Sequence, residues 1–352
     1  LLKDPHSTDH RQTVAVPAHG ALPIVDNRIG SHFISSVDLE EVFANVPKWQ
    51  IDHRTLSRSN GPSHSEMILV GSTGVSSELL RGQVHTRGET PRGHAAIGLD
   101  MSGIHGRQFG GRQLECDEAL IGFDRGELDY LHQPGFLGLN MTMPAGGLEE
   151  ALQARFESKT GLAHFRSIRA SRIDRGIFAE SWLFFGRLME LLRESHDAAS
   201  PQILRPTYLE AEIVDVMVSI IGNHLQAREF ERSVSWSQRR PVVKRAEEFM
   251  RSHLAEPIML HEICAAARAS ERTVEYAFRE MYGMGAKKFL RVLRLNYARS
   301  CLRRADGVFS SVQDVAYAAG FWHMGHFSTN YRQLFNEAPT ATMRRSHQRA
   351  AY

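Results

Sequence analysis

The stretch GFWHMGHFSTNYRQLFNEAP, residues 320–339, places Trp322, Gly325, His326, Thr329 and Arg332 at three- and four-residue steps. At 100° per residue they share one side of a helix, while Phe327, Tyr331, Leu334 and Phe335 gather on the other. An indole, an imidazole, a hydroxyl and a guanidinium opposite an apolar stripe make a contact surface turned away from the helix's own core. A second face of this kind lies in SERTVEYAFREMYG, where Arg272, Thr273, Glu275, Tyr276 and Arg279 oppose Val274, Ala277, Phe278 and Met281. The chemistry available to both faces is recognition. Catalytic signals are weaker: GSTGVSS and HGRQFGGR contain glycines but match neither a phosphate-cradling loop nor a dinucleotide fingerprint, and no nucleophile sits in an elbow motif. His64, His85, His94 and His105 follow no metal-ligand spacing, so neither a metal nor a cofactor is expected, although a cupin-like metal site is conceivable.

Charge supports the same division. The 352 residues carry a net charge of only +2, yet residues 237–352 hold 19 Lys and Arg against 10 Asp and Glu. That is +9, on a preceding part with 23 against 30, or −7. A basic third on an acidic body calls for a polyanion partner for that third. Cys116, Cys264 and Cys301 are odd in number and widely spaced, which argues against a disulfide framework and suits a reducing cytoplasm. The segment EIVDVMVSIIG carries Asp215 within it and is too short to span a bilayer, and the polar start LLKDPHSTDHRQT is unlike a signal peptide. The expectation is a soluble, cytoplasmic chain without membrane partners.

The elements that must position these faces follow from periodicity. Residues 1–30 are polar and rich in Pro, Gly and His, and are expected to be disordered. From 31 to about 146, short strand-like runs such as SEMILVG, HAAIGLD, EALIGF and FLGLNM predict a β-sandwich or barrel. Helical spacing then takes over in GLEEALQARFES, IFAESWLFFGRLMELLRESH and PTYLEAEIVDVMVSIIGNHLQARE. In the last, Leu209, Ile213, Val216, Ile220 and Leu225 form a stripe that suits either a partner helix or the chain's own β-domain. The fold expected is α+β: an N-terminal β-sandwich or cupin-like domain with helices over 31–232, a linker over 233–240, and an all-α domain over 241–352 with two helix-turn-helix units. Those units are a weak repeat of 262–283 and 314–336, in which Ile263 corresponds to Val315, Cys264 to Ala316 and Phe278 roughly to Tyr331. Small residues at Cys264, Ala265 and Ala316 permit steeply crossed helices, and Ser270 is an N-cap. A long helix, AKKFLRVLRLNYARSCLRRA, joins the units, with Phe289, Leu293, Tyr297 and Cys301 along one side.

Residues 241–352 resemble the DNA-binding domain of AraC/XylS-type transcription regulators, through DVAYAAGFWHMGHFSTNYRQLFNEAP. The GFWHxGxF variant is similar to the ethanolamine-utilisation regulators of that family. Departures are Gly285-Ala286 for Ser-Pro, Gly325 for Ser and Asn336 for Gly. The resemblance implies two recognition helices entering successive major grooves of double-stranded promoter DNA. Trp322, His326 and Thr329 would then approach base edges or thymine methyls, with Arg332 on phosphate or base. Arg272, Glu275 and Tyr276 would read bases in the first unit, beside Thr273 and Arg279 on the same face, while Lys287, Lys288, Arg291 and Arg294 suit phosphates. The family also implies a small-molecule effector, a homodimer and contact with RNA polymerase, and so a regulator, expected to activate, rather than an enzyme. An enzyme with a DNA-binding tail is the rival reading. For the effector, Arg54 and Arg58 in HRTLSRSNG resemble the RxxxR motif of PilZ-type receptors for cyclic di-GMP, whose guanidiniums bond phosphate or guanine. The companion element is only approximated by Asp100, Ser102 and Gly106, and arginines four apart occur five times in the chain, so a metabolite effector stays open.

Overall fold

Strand propensity in the first half of the chain is realised as two antiparallel sheets. The computed structural model describes residues 29–36, 39, 42, 50–103, 107–156, 170–197, 206–226, 237–304 and 308–350. Of the segment 1–30 expected to be disordered, residues 1–28 lie outside them, as do linker residues 233–236 and His105, while Ile29 and Gly30 begin a strand.

One sheet has seven strands in the order β1 (Ile29–Ser36), β3 (Ser63–Val70), β4 (Thr73–Leu80), β11 (Phe136–Pro144), β6 (His94–Asp100), β9 (Glu118–Phe123) and β12 (Ala170–Arg172). The other has five: β2 (Gln50–Thr55), β5 (Val84–Glu89), β10 (Glu127–His132), β7 (Arg107–Phe109) and β8 (Arg112–Gln113). All four runs read as strands from the sequence are strands here. In the seven-stranded sheet the register aligns Ile68, Val75, Met141, Ile97 and Ile121, so these side chains share one face. That face packs against helices α1 (Ala145–Phe156), α2 (Arg175–Asp197) and α3 (Pro206–Gln226) in one apolar core. Within α3, Leu209, Ile213 and Ile220 are buried in this core and Val216 packs on it. The described part of the stripe is therefore spent on the chain's own sheet, and the side chain of Leu225 lies outside the described residues.

The second half is helical: α4 (Arg240–Ser252), α5 (Leu260–Ala267), α6 (Glu271–Tyr282), α7 (Ala286–Arg303), α8 (Val312–Ala318), α9 (Met324–Phe335) and α10 (Pro339–Ala350). Arg240 already belongs to the first of these helices, so the helix starts one residue earlier than the expected 241. Its core gathers Phe278, Tyr282, Phe289, Phe327, Tyr331 and Phe335, and it takes in Leu56 and Leu131 from the β-domain. No described helix is long and apolar enough to cross a membrane.

Candidate nucleic-acid interface

Each unit is two helices held by a tight turn. In the first, Arg268 closes α5 in the left-handed region (φ 53°), and the Ser270 hydroxyl accepts from the Thr273 amide at 3.2 Å to cap α6. Gly283, also left-handed at φ 68°, ends α6. In the second, Ser311 caps α8 by accepting from the Asp314 amide. Gly320 turns the chain at φ 75°, and a Cβ there would strike the Leu254 carbonyl and the Arg294 guanidinium, so only glycine fits. Asn336 closes α9 at φ 59°, a conformation its short amide tolerates, where the family pattern has glycine. Both units bury matching positions: Ile263 with Val315, Ala267 with Ala319, Phe278 with Tyr331.

The apolar faces read from the sequence, Val274, Ala277, Phe278 and Met281 on α6 and Phe327, Tyr331, Leu334 and Phe335 on α9, are all buried. Turned away from them, Trp322, His326, Thr329 and Arg332 are all exposed. Trp322, 59% exposed, stacks on Tyr317 of α8 at 5.8 Å between centroids, and Tyr317 accepts a hydrogen bond from Gln313. Tyr317 had no signal in the sequence, because the contact joins two helices across the turn.

The first face is more involved with its own chain. Arg272, Thr273 and Arg279 are exposed. Glu275, by contrast, accepts from the Ala286 amide at 3.2 Å and so caps the N-terminus of α7. Over the Tyr276 ring, 4.3 Å from its centroid, lies the guanidinium of Arg239, which also pairs with Glu280. On α7, Lys287, Lys288 and Arg291 are exposed, whereas Arg294 donates to the Glu256 carbonyl, leaving it occupied within the domain. Phe289, Leu293 and Cys301 are buried as expected, but Tyr297 is 38% exposed and Arg299 takes the inward place, 4.4 Å over the Phe335 ring and 2.9 Å from Glu337.

Arg54 and Arg58 do not converge. Arg58 is exposed, while Arg54, with a side chain 5% exposed, is held by Asp52 and by Glu247 of α4. Glu247 also accepts from Arg87 (3.1 Å), Arg251 (3.0 Å) and the Tyr282 hydroxyl (3.2 Å). Burial would raise its carboxyl, but Arg54, His85 and Arg87 outweigh this and hold it below the ordinary carboxylate value. Beside it Asp129 pairs with His85 (2.9 Å) and Arg240 (3.3 Å). Register explains the gathering: Arg54 opposes His85, which opposes Leu131, and Asp52 opposes Arg87, which opposes Asp129. All six stand on one face of the five-stranded sheet, and that face docks on the helical domain. Asn296 of α7 completes the dock, accepting from the Thr55 amide (3.1 Å) and donating to its carbonyl (2.9 Å), and Asn336 donates to the Ser59 carbonyl.

The alternate residues of the same strands, His53, Thr86, Tyr130, His132 and Arg107, face the space between the sheets. His53 bonds Thr86 at 3.0 Å, and burial lowers its imidazole to about 3. Arg107 crosses to the opposite sheet, donating to the Glu118 carbonyl at 2.8 Å, while its Nε and the Nδ1 of neighbouring His132 are buried without hydrogen-bond partners among the described residues. Burial lowers both groups, and both are cases of polar atoms that a bound molecule would satisfy. Among the described residues no three His, Cys, Asp or Glu side chains form a metal-holding group.

Residues 263–345 match the helix-turn-helix domain family. An activator of the XylDLEGF operon from Pseudomonas putida is 27% identical over 139 residues, spanning 40% of this chain and 41% of the activator. Residues 263–345 form a helix-turn-helix domain, and the stretch shared with this activator includes it. The transcriptional activator RhaS of Citrobacter koseri is 34% identical over 91 residues, 26% of this chain and 32% of RhaS. The chain thus spans well under half of each relative, and both relatives are transcriptional activators, not enzymes. A solved regulator with an AraC-type DNA-binding domain from Chromobacterium violaceum is 30% identical, covering 31% of this chain and 94% of its own, with a TM-score of 0.29.

Proposed function

We propose that this protein is a ligand-responsive, sequence-specific DNA-binding regulator of transcription that activates. The observation that carries this is the pair of helix-turn-helix units, each with a polar, exposed second helix, in a domain of charge +9. In this reading Trp322, His326, Thr329 and Arg332 address one major groove, and Arg272, Thr273, Tyr276 and Arg279 the next. Lys287, Lys288 and Arg291 neutralise phosphates. The named activity of the relatives supports activation, and contact with RNA polymerase and a dimeric state belong to the same reading.

We place the effector between the two sheets, where Arg107 and His132 have hydrogen-bonding capacity to spare. Cyclic di-GMP on Arg54 and Arg58 is less favoured, since it would have to draw Arg54 away from Glu247.

The test is selection from a randomised duplex pool followed by footprinting. A specific site should emerge, and Thr329→Ala and Arg272→Ala should each cost about 1–3 kcal/mol and relax preference at different base pairs. Binding that falls steeply with salt but prefers no duplex would replace specific regulation with general nucleic-acid coating.

A further inference from the structure

The two units align through their buried anchors, since Val274 and Phe327, both fully buried, are each the fourth residue of their helix. Counting from them puts Ala269 in register with Trp322, Arg272 with Gly325, Tyr276 with Thr329 and Arg279 with Arg332. Large and small therefore trade places. The first face projects a guanidinium from the opening turn of its helix, whereas the second has no side chain there and carries its bulk in Trp322, just before the helix.

Within the described helices of this domain Gly325 is the one glycine. Nothing in its own chain requires it. The backbone there is helical, and a Cβ placed on it would meet nothing within 4 Å, the side chains of Trp322 and Thr329 included. Gly320, in the turn before, is the contrast, for left-handed backbone and crowding both demand it. Glycine in a helix with open space around it weakens that helix relative to alanine.

The missing side chain leaves a recess on an exposed face. Thr329 stands one turn further along, Trp322 lies just before the helix cap, and both are exposed. Stacking on Tyr317, whose hydroxyl accepts from Gln313 at 2.8 Å, holds the indole toward α8 and clear of the recess. No carboxylate or guanidinium belongs to the residues within a turn of Gly325 along the chain.

We propose that Gly325 is a specificity-determining residue whose recess, walled by Trp322 and Thr329, receives the C5-methyl of a thymine in the major groove. The proposal rests on the DNA-binding reading above. Among the donors and acceptors that base pairs present in that groove, the thymine methyl is the apolar projection, and a recess walled by an indole and a threonine methyl suits it over an N–H or a carbonyl. Arg272, at the same place on the first unit, suits the guanine acceptors instead. The bound site is then asymmetric, with guanine under one unit and thymine under the other.

The test uses the full-length protein. A duplex is selected from a randomised pool by the wild type, and each of its thymines is replaced singly by uracil, which removes only the methyl. At one position this should weaken wild-type binding about fourfold, the worth of one buried methyl. Gly325→Ala puts a methyl in the recess. It should bind the thymine duplex at least about fourfold more weakly than wild type does, bind the uracil duplex at least as well as the thymine one, and melt at a higher temperature than wild type. Gly325→Ser, which installs the residue usual in the family, should show the same reversal between the two duplexes. Absence of any methyl-sensitive thymine, equal sensitivity in wild type and Gly325→Ala, or weaker binding accompanied by a lower melting temperature would each overturn the recess and leave DNA binding standing. If wild type selects no duplex, the DNA-binding reading fails and the recess falls with it.

Discussion

Replacing Glu247 tests whether the docking face holds the two halves of the molecule together. Its two carboxylate oxygens, on a side chain 1% exposed, receive donors from Arg54, Arg87, Arg251 and Tyr282. Glutamine at this place keeps one acceptor but points an amide N–H₂ at donors, and it leaves the buried Arg54 charge with Asp52 alone. Breaking a buried pair from one side costs about 3–5 kcal/mol, since the surviving charge is stranded. Glu247→Gln should therefore lower stability by that amount, and Arg54→Ala by a comparable one. Because both remove the same contact, the double variant should cost about 2 kcal/mol less than the sum. The assay is urea denaturation followed by tryptophan fluorescence and by amide exchange of 50–56 and 240–252, so that undocking is separated from global unfolding. A coupling below about 0.5 kcal/mol would refute the reasoning. The sign of the pH effect is fixed as well. The Glu247 carboxyl is depressed from 4.5, so its contribution is complete above that value and is lost as pH falls through the lower folded value. Wild type should undock in acid, and Glu247→Gln should lack that step.

Two further outcomes can be measured independently. Burial raises the Glu78 carboxyl from 4.5 to about 7, so wild-type stability should fall as pH rises between those values, by about 3 kcal/mol at most, and level off above. Glu78→Gln should remove that slope in denaturation series from about pH 5 to about pH 8; an unchanged slope would place the cause elsewhere. Glu275→Ala should cost about 1 kcal/mol, as loss of a helix cap does, and leave base preference intact. Altered base preference at unchanged stability would instead restore Glu275 to the reading face.

What the sequence made legible was local. The helical periods of α6 and α9, the Ser270 cap and the left-handed Gly320 and Asn336 depend on residues within a turn or two of each other, and each stands where the spacing put it. The buried stripe on α7 was read too narrowly, because α7 packs on both units, so more of its circumference is covered than a surface helix would show. Arg54 illustrates the opposite limit. Its sequence neighbours suggest a free guanidinium, but its partner lies 193 residues away, and only strand register brings the two together. Glu275 and Tyr276 likewise face outward by periodicity and are then engaged by Ala286 and Arg239 through tertiary contact.

Leu56 and Leu131 belong to the β-domain by sequence and to the helical core by position. A fragment cut at the start of α4 would carry a socket emptied of both, and would present to water a patch that the whole chain keeps dry. Such a fragment invites self-association, so its DNA affinity would describe an aggregate as readily as a domain. Trimming for study is better guided by this shared core than by the charge boundary near residue 237. Polar substitutions lining the socket would be the first remedy if a soluble fragment were wanted.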